Sequence, residues 1–75
     1  LFSYPNPISQ TLEVNLESED TQLDIFNELG TVVHSHYYEN KGIYQIDMSK
    51  FVNGNYFIMV KEGKKAKGMI KIVKH

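Results

Sequence analysis

Apolar and polar residues alternate along most of this chain with a period of two, the repeat of a strand lying with one face against a core. From Thr11 to Leu16, Leu12, Val14 and Leu16 share one face, while Thr11, Glu13 and Asn15 share the other. Thr21 to Asn27 repeats the pattern, with Leu23 and Ile25 inward, Gln22 and Asp24 outward, and Phe26 as an aromatic exception on the outward side. Thr31 to Tyr38 is rich in β-branched and aromatic residues, which suit a pleat better than a helix. In Ile43 to Met48, Tyr44, Ile46 and Met48 fall together. The strongest strand is Tyr56 to Lys61, apolar on one face through Tyr56, Ile58 and Val60 and on the other through Phe57 and Met59. Apolarity on both faces predicts a central strand. Lys67 to Lys74 is the last, with Ile70 and Ile72 opposite Met69, Lys71 and Val73.

Turn signals separate these segments. Glu17-Ser18-Glu19-Asp20, Glu39-Asn40-Lys41-Gly42 and the basic Glu62-Gly63-Lys64-Lys65-Ala66 are polar turns, and Glu28-Leu29-Gly30 closes a hairpin with Gly30 at positive φ. Asn53-Gly54 supplies the residues that let the chain turn sharply and deliver Tyr56 into the core. Near the start, Pro5-Asn6-Pro7 is a rigid turn after a short apolar Leu1 to Tyr4, itself a first edge strand or the end of a linker. Six or seven short strands with hairpin-sized gaps, and no sustained helical period, predict an all-β sandwich with antiparallel neighbours throughout. Two sheets are needed because so many strands carry one apolar face.

Seventy-five residues allow one domain, 1–75, near the size at which burial only just offsets conformational entropy. No cysteine is present, so neither a disulfide nor a thiolate enters the chemistry. A formal charge of -1 argues against a general nucleic-acid binder, and no apolar run is long enough to insert in a membrane. All the basic residues are lysines, concentrated after Val60, whereas most acids precede them; arginine, which supplies the fork favoured at phosphate and base sites, is absent. The chain starts directly on a structured-looking segment without a signal peptide, as expected of a piece from a longer protein.

Catalytic constellations are lacking. No serine has a glycine-flanked elbow, no glycine-rich phosphate loop occurs, and Asp47 beside Ser49 reads as a local turn hydrogen bond. His34 and His36 share a strand face at a spacing that suits a metal, but no third ligand follows, so neither metal nor cofactor is expected. Tyr37, Tyr38 and Tyr44 fit either core packing or a sugar-binding platform. The terminal lysines allow three readings: gatekeepers that keep an edge strand from pairing, a basic patch for an acidic partner, or part of a strand that adds to a partner's sheet.

Four pieces in order carry a resemblance: Tyr4-Pro5-Asn6-Pro7; Asp24 to Gly30 with Val33; Ile46-Asp47-Met48-Ser49 through Phe51, Gly54 and Tyr56; and Lys71-Ile72-Val73-Lys74. Together they resemble the type A C-terminal sorting domain of type IX secretion cargo from Bacteroidota, over nearly the whole chain. Phe51 stands where leucine is usual, and Asn53-Gly54-Asn55 is more polar than the common form. The resemblance implies an immunoglobulin-like fold and a non-enzymatic signal attached to a larger N-terminal passenger. It further implies recognition by the secretion machinery in the periplasm, passage across the outer membrane to the surface or medium, and removal by a sortase-like peptidase. The family's aligned positions here are Pro5, Asn6, Pro7, Gly30, Val33, Gly54, Tyr56, Lys71 and Lys74. Exposed edge strands would also allow a homodimer. An adhesion or carbohydrate-binding module of a surface protein is the competing reading, and a structural spacer a third.

Overall fold

The alternating apolar positions meet in one core, to which five of the six strands or the loops beside them contribute. In the structure, a computed structural model describing residues 10–74, the strands are β1 (Thr11–Leu16), β2 (Thr21–Phe26), β3 (Val32–Tyr38), β4 (Gly42–Asp47), β5 (Gly54–Glu62) and β6 (Lys65–Lys74). They form a four-stranded sheet in the order β3-β2-β5-β6 and a two-stranded sheet of β1 and β4, all pairs antiparallel. The chain is thus all-β, a small sandwich. Between the sheets lie Leu12, Val14 and Leu16 of β1, Leu23 and Ile25 of β2, and Ile46 of β4. Met48, Tyr56, Ile58 and Val60 join them, with Ile72 from β6.

β5 is central, as its two apolar faces predict. Ile58 is the register partner of Ile25 on one side and of Ile70 on the other, so the backbone of this strand is paired along both edges. Two strands start two residues ahead of the alternation. The last strand begins at Lys65, because Gly63 at φ +62° closes a short turn after Glu62 and lets pairing resume at once. Strand β5 begins at Gly54, before the periodic run, through pairing with Lys74. A bulge between Ile25 and Phe26 offsets the partners of β3, and Val33 packs against the core.

Neighbours in sequence are not always neighbours in the sheets. Only β2-β3 and β5-β6 are hairpins; β1-β2, β3-β4 and β4-β5 cross from one sheet to the other. The crossings follow from apolarity: a two-stranded ribbon is marginal alone, and packing it on the larger sheet buries both inner faces. Asp20 ties the ends of three connections together. Its N–H donates to Glu39 O (3.1 Å), its carbonyl accepts from Gly63 N (3.2 Å), and its carboxylate accepts from Tyr37 Oη (2.5 Å). It does so at φ +55°, a conformation that Asp tolerates better than most residues. The expected strand or linker at Leu1 to Tyr4 lies outside the described residues.

Truncation at the centre separates core from surface. Ile58→Ala, at a fully buried site, is expected to cost about 2–5 kcal/mol, a large fraction of what a domain this small holds. Met69→Ala, at a site 53% exposed, is expected to cost no more than about 0.5 kcal/mol. Urea titrations followed by far-ultraviolet circular dichroism check both values.

Candidate recognition surface

One end of the sandwich is built by the β2-β3 turn, the loop from Met48 to Asn53, and the terminus of β6. The turn owes its shape to Asn27, whose Oδ1 accepts the N–H groups of Leu29 and Thr31, both at 2.9 Å, while Gly30 N donates to Asn27 O at 3.0 Å. Gly30 sits at φ +83°, where a side chain would be strained. So held, the turn delivers Glu28 to the neighbouring strand, and Glu28 Oε1 accepts the N–H of Asn55 at 3.0 Å. Gly54 lies beneath this clasp at φ +151°, and a Cβ there would stand 3.5 Å from Glu28 Oε1.

Tyr56 anchors the loop from inside. Its ring is buried beside Phe51 (centroids 5.8 Å apart), and its hydroxyl donates to Val52 O at 2.6 Å. Burial first, and the Glu28 charge second, raise the phenol above its ordinary pKa, so it stays a donor. Lys74, paired in register with Gly54, is itself buried, with Nζ 3.4 Å from Asn53 Oδ1. Between turn and loop lies a depression of about 230 Å³ lined by Leu29, Val52, Gly54 and Tyr56, among others. Leu29 and Val52 project from its rim, 90% and 79% exposed.

Five of the positions singled out in the sequence thus gather toward one end: Gly30, Val33, Gly54, Tyr56 and Lys74. Lys71 is set apart, exposed on the outer face opposite Phe57. Pro5, Asn6 and Pro7 lie outside the described residues. The two terminal lysines therefore occupy different surroundings, a distinction that alternation alone implies but composition hides. Lys67 makes a surface ion pair with Glu62 at 3.4 Å, an interaction of small energetic weight.

A family model described as a secretion system C-terminal sorting domain matches residues 3–75. The chain belongs to this family. It is therefore a sorting signal for type IX secretion, borne by a passenger and handled by the secretion machinery, and the family is not one of enzymes. No curated protein matches the chain. Side chains that suggested other chemistry take structural places in this sorting domain. Asp47 Oδ1 accepts the N–H of Ser49 at 2.9 Å, the expected local turn bond, and this contact with Ser49 lowers its pKa. Tyr38 and Tyr44 pack against the core with centroids 4.3 Å apart, whereas Tyr37 lies on the opposite face of β3, so the three form no common platform.

The histidines continue the inner face of β3. His34 and His36 have centroids 6.5 Å apart, and His36 leans on Tyr38 at 4.5 Å. No group of three potential metal ligands occurs among the described residues. His34 Nε2 is buried without a hydrogen-bond partner. Burial first, then the neighbouring His36, lowers its pKa below 6.5, with Asp24 opposing.

The Glu28 clasp escaped sequence reasoning because its partner is remote in sequence; Glu28 beside a turn glycine is the signal that points to it. Glu28→Ala is expected to destabilise by about 0.5–1.5 kcal/mol, and Glu28→Gln, which keeps the acceptor, by less, as read from thermal melts. The histidine gives a pH test. Its folded pKa is depressed, so the unfolded chain takes up the proton first. Stability from this group is complete above the ordinary value and declines as the pH falls below 6.5. Urea midpoints between about pH 7.5 and pH 5.5 should fall in the parent and fall less in His34→Phe.

Proposed function

We propose that residues 1–75 form a single sorting domain that carries an upstream passenger from the periplasm through the type IX system and across the outer membrane. A sortase-like peptidase at the cell surface then removes the domain, and the passenger is released or attached to lipopolysaccharide. The family match over residues 3–75 carries this reading. The domain's part is recognition rather than chemistry. Gly30 and Gly54 shape the end of the sandwich, Val33 and Tyr56 fix that end to the core, Lys71 offers a charge to the machinery, and Lys74 closes the terminal strand over Asn53. Pro5, Asn6 and Pro7 mark the boundary where the passenger's chain enters the domain.

Deleting Lys71 to His75 is an obvious test, but it removes the fully buried Ile72 and the partner strand of Gly54 to Phe57. Loss of export would then report unfolding as much as lost recognition. Point substitution is cleaner. With a fluorescent reporter fused upstream of Leu1 in a type IX-competent host, the reporter is expected in the medium or on the cell surface, and in the periplasm of a secretion-deficient strain. Lys71→Ala should reduce export while leaving the melting temperature of the purified chain unchanged. Reporter exported equally from both strains would overturn the sorting role.

A further inference from the structure

The two outer faces of the sandwich differ in kind. On the small sheet the outward positions are Thr11, Glu13 and Asn15 of β1, paired with Asp47, Gln45 and Ile43 of β4: polar and acidic apart from Ile43, a single exposed apolar side chain at 66%. On the large sheet one cross-strand row reads Val32, Phe26, Phe57, Lys71 and the next reads Ser35, Asp24, Met59, Met69. Val73 extends the patch from β6. Val32 is 49% and Met69 53% exposed, while Phe26, Phe57, Met59 and Val73 are half-buried, and all six are contiguous across four strands. A solvated sheet face with this much apolar surface is costly to keep and marks a place where another molecule binds.

Charge selects the kind of molecule. Lys61 of β5 and Lys71 of β6 stand on this face, whereas its acids lie on the β2-β3 half: Asp24 accepts from Ser35 Oγ at 2.6 Å and from Gln22 Nε2 at 3.1 Å, and Asp20 and Glu39 stand beside Tyr37. The β5-β6 half of the face therefore offers cations beside an apolar patch. We infer that the outer face of the β3-β2-β5-β6 sheet is the surface by which the domain docks on the secretion machinery, against a protein patch that is apolar at its centre and edged with carboxylates. Lys71 is the point where apolar and ionic contacts meet. The Glu13 and Asp47 face stays in solvent. This assignment rests on the sorting role and deepens it.

Export of the reporter fusion tests it. Met69→Glu and Lys71→Glu should each lower export at least about tenfold, Lys71→Arg should retain most of it, and Glu13→Lys and Gln45→Lys on the other face should stay within about twofold. Melting temperatures of the purified variants separate docking from folding; should Met69→Glu unfold, Met69→Gln, which adds no charge, replaces it. Normal export of folded Met69→Glu and Lys71→Glu would overturn the assignment while leaving the sorting role intact. Loss of export from the opposite-face variants would overturn it too. If the parent fusion exports independently of the secretion system, the sorting role itself fails. Two further results would count against a protein partner. One is cosedimentation of the chain with vesicles of phosphatidylglycerol and phosphatidylcholine that Lys71→Glu abolishes. The other is a dimer in sedimentation velocity that Met69→Glu dissociates.

Discussion

Strand β5 must satisfy hydrogen-bond partners on both edges and apolar neighbours on its inner face, and the rest of the molecule is arranged to meet that demand. β2 and β6 supply the two ladders. Tyr56, Ile58 and Val60 then fix which faces of β1 and β4 must close over the sheet, and the buried set follows from that choice. The turns at either end reinforce the same strand from outside the ladder, Glu28 by accepting from Asn55 at its start and Asp20 by accepting from Gly63 beyond its end. A backbone paired on both edges and clasped at both termini is the stiffest part of a domain this small.

That stiffness positions both the end of the sandwich and the outer face of the large sheet. Gly54 and Tyr56 open β5, and Lys74 pairs with Gly54, so the end of the sandwich carrying Gly30, Leu29 and Val52 is built directly on the central strand. Phe57 and Met59, on the other side of β5, form the middle of the apolar outer face, with Lys71 of β6 beside Phe57. On the proposed assignment, core and docking surface are two faces of one strand. A substitution that reverses polarity at Met59 is then expected to alter recognition, whereas one at Ile58 strikes the core.

Much of this was legible in the sequence because period-two alternation reports burial directly. Leu12, Val14, Leu16, Leu23 and Ile25 lie where alternation places them, and the two-faced apolarity of Tyr56 to Val60 marks the central strand. Sheet membership was not legible. Gaps between β1 and β2, and between β3 and β4, are as short as a hairpin's, yet these strands sit in different sheets, since the choice depends on which apolar faces must meet across the sandwich. The place of Lys74 was visible only as a matter of phase with Ile70 and Ile72, and its lysine chemistry pointed outward instead. The positive φ of Asp20 needed three remote partners that no local pattern encodes. Phe26, the one aromatic that broke its strand's alternation, was the early sign of the outer apolar face.

The central claim is that an exposed, apolar and cationic sheet face brings this sorting domain to its transporter. Photocrosslinking in living, secreting cells tests it most directly, with a benzophenone amino acid placed at Met69 on that face and, separately, at Gln45 on the other. The account predicts adducts with a secretion-system protein from position 69 during export, absent from position 45. Adducts of that protein from position 45, with none from position 69, would contradict it.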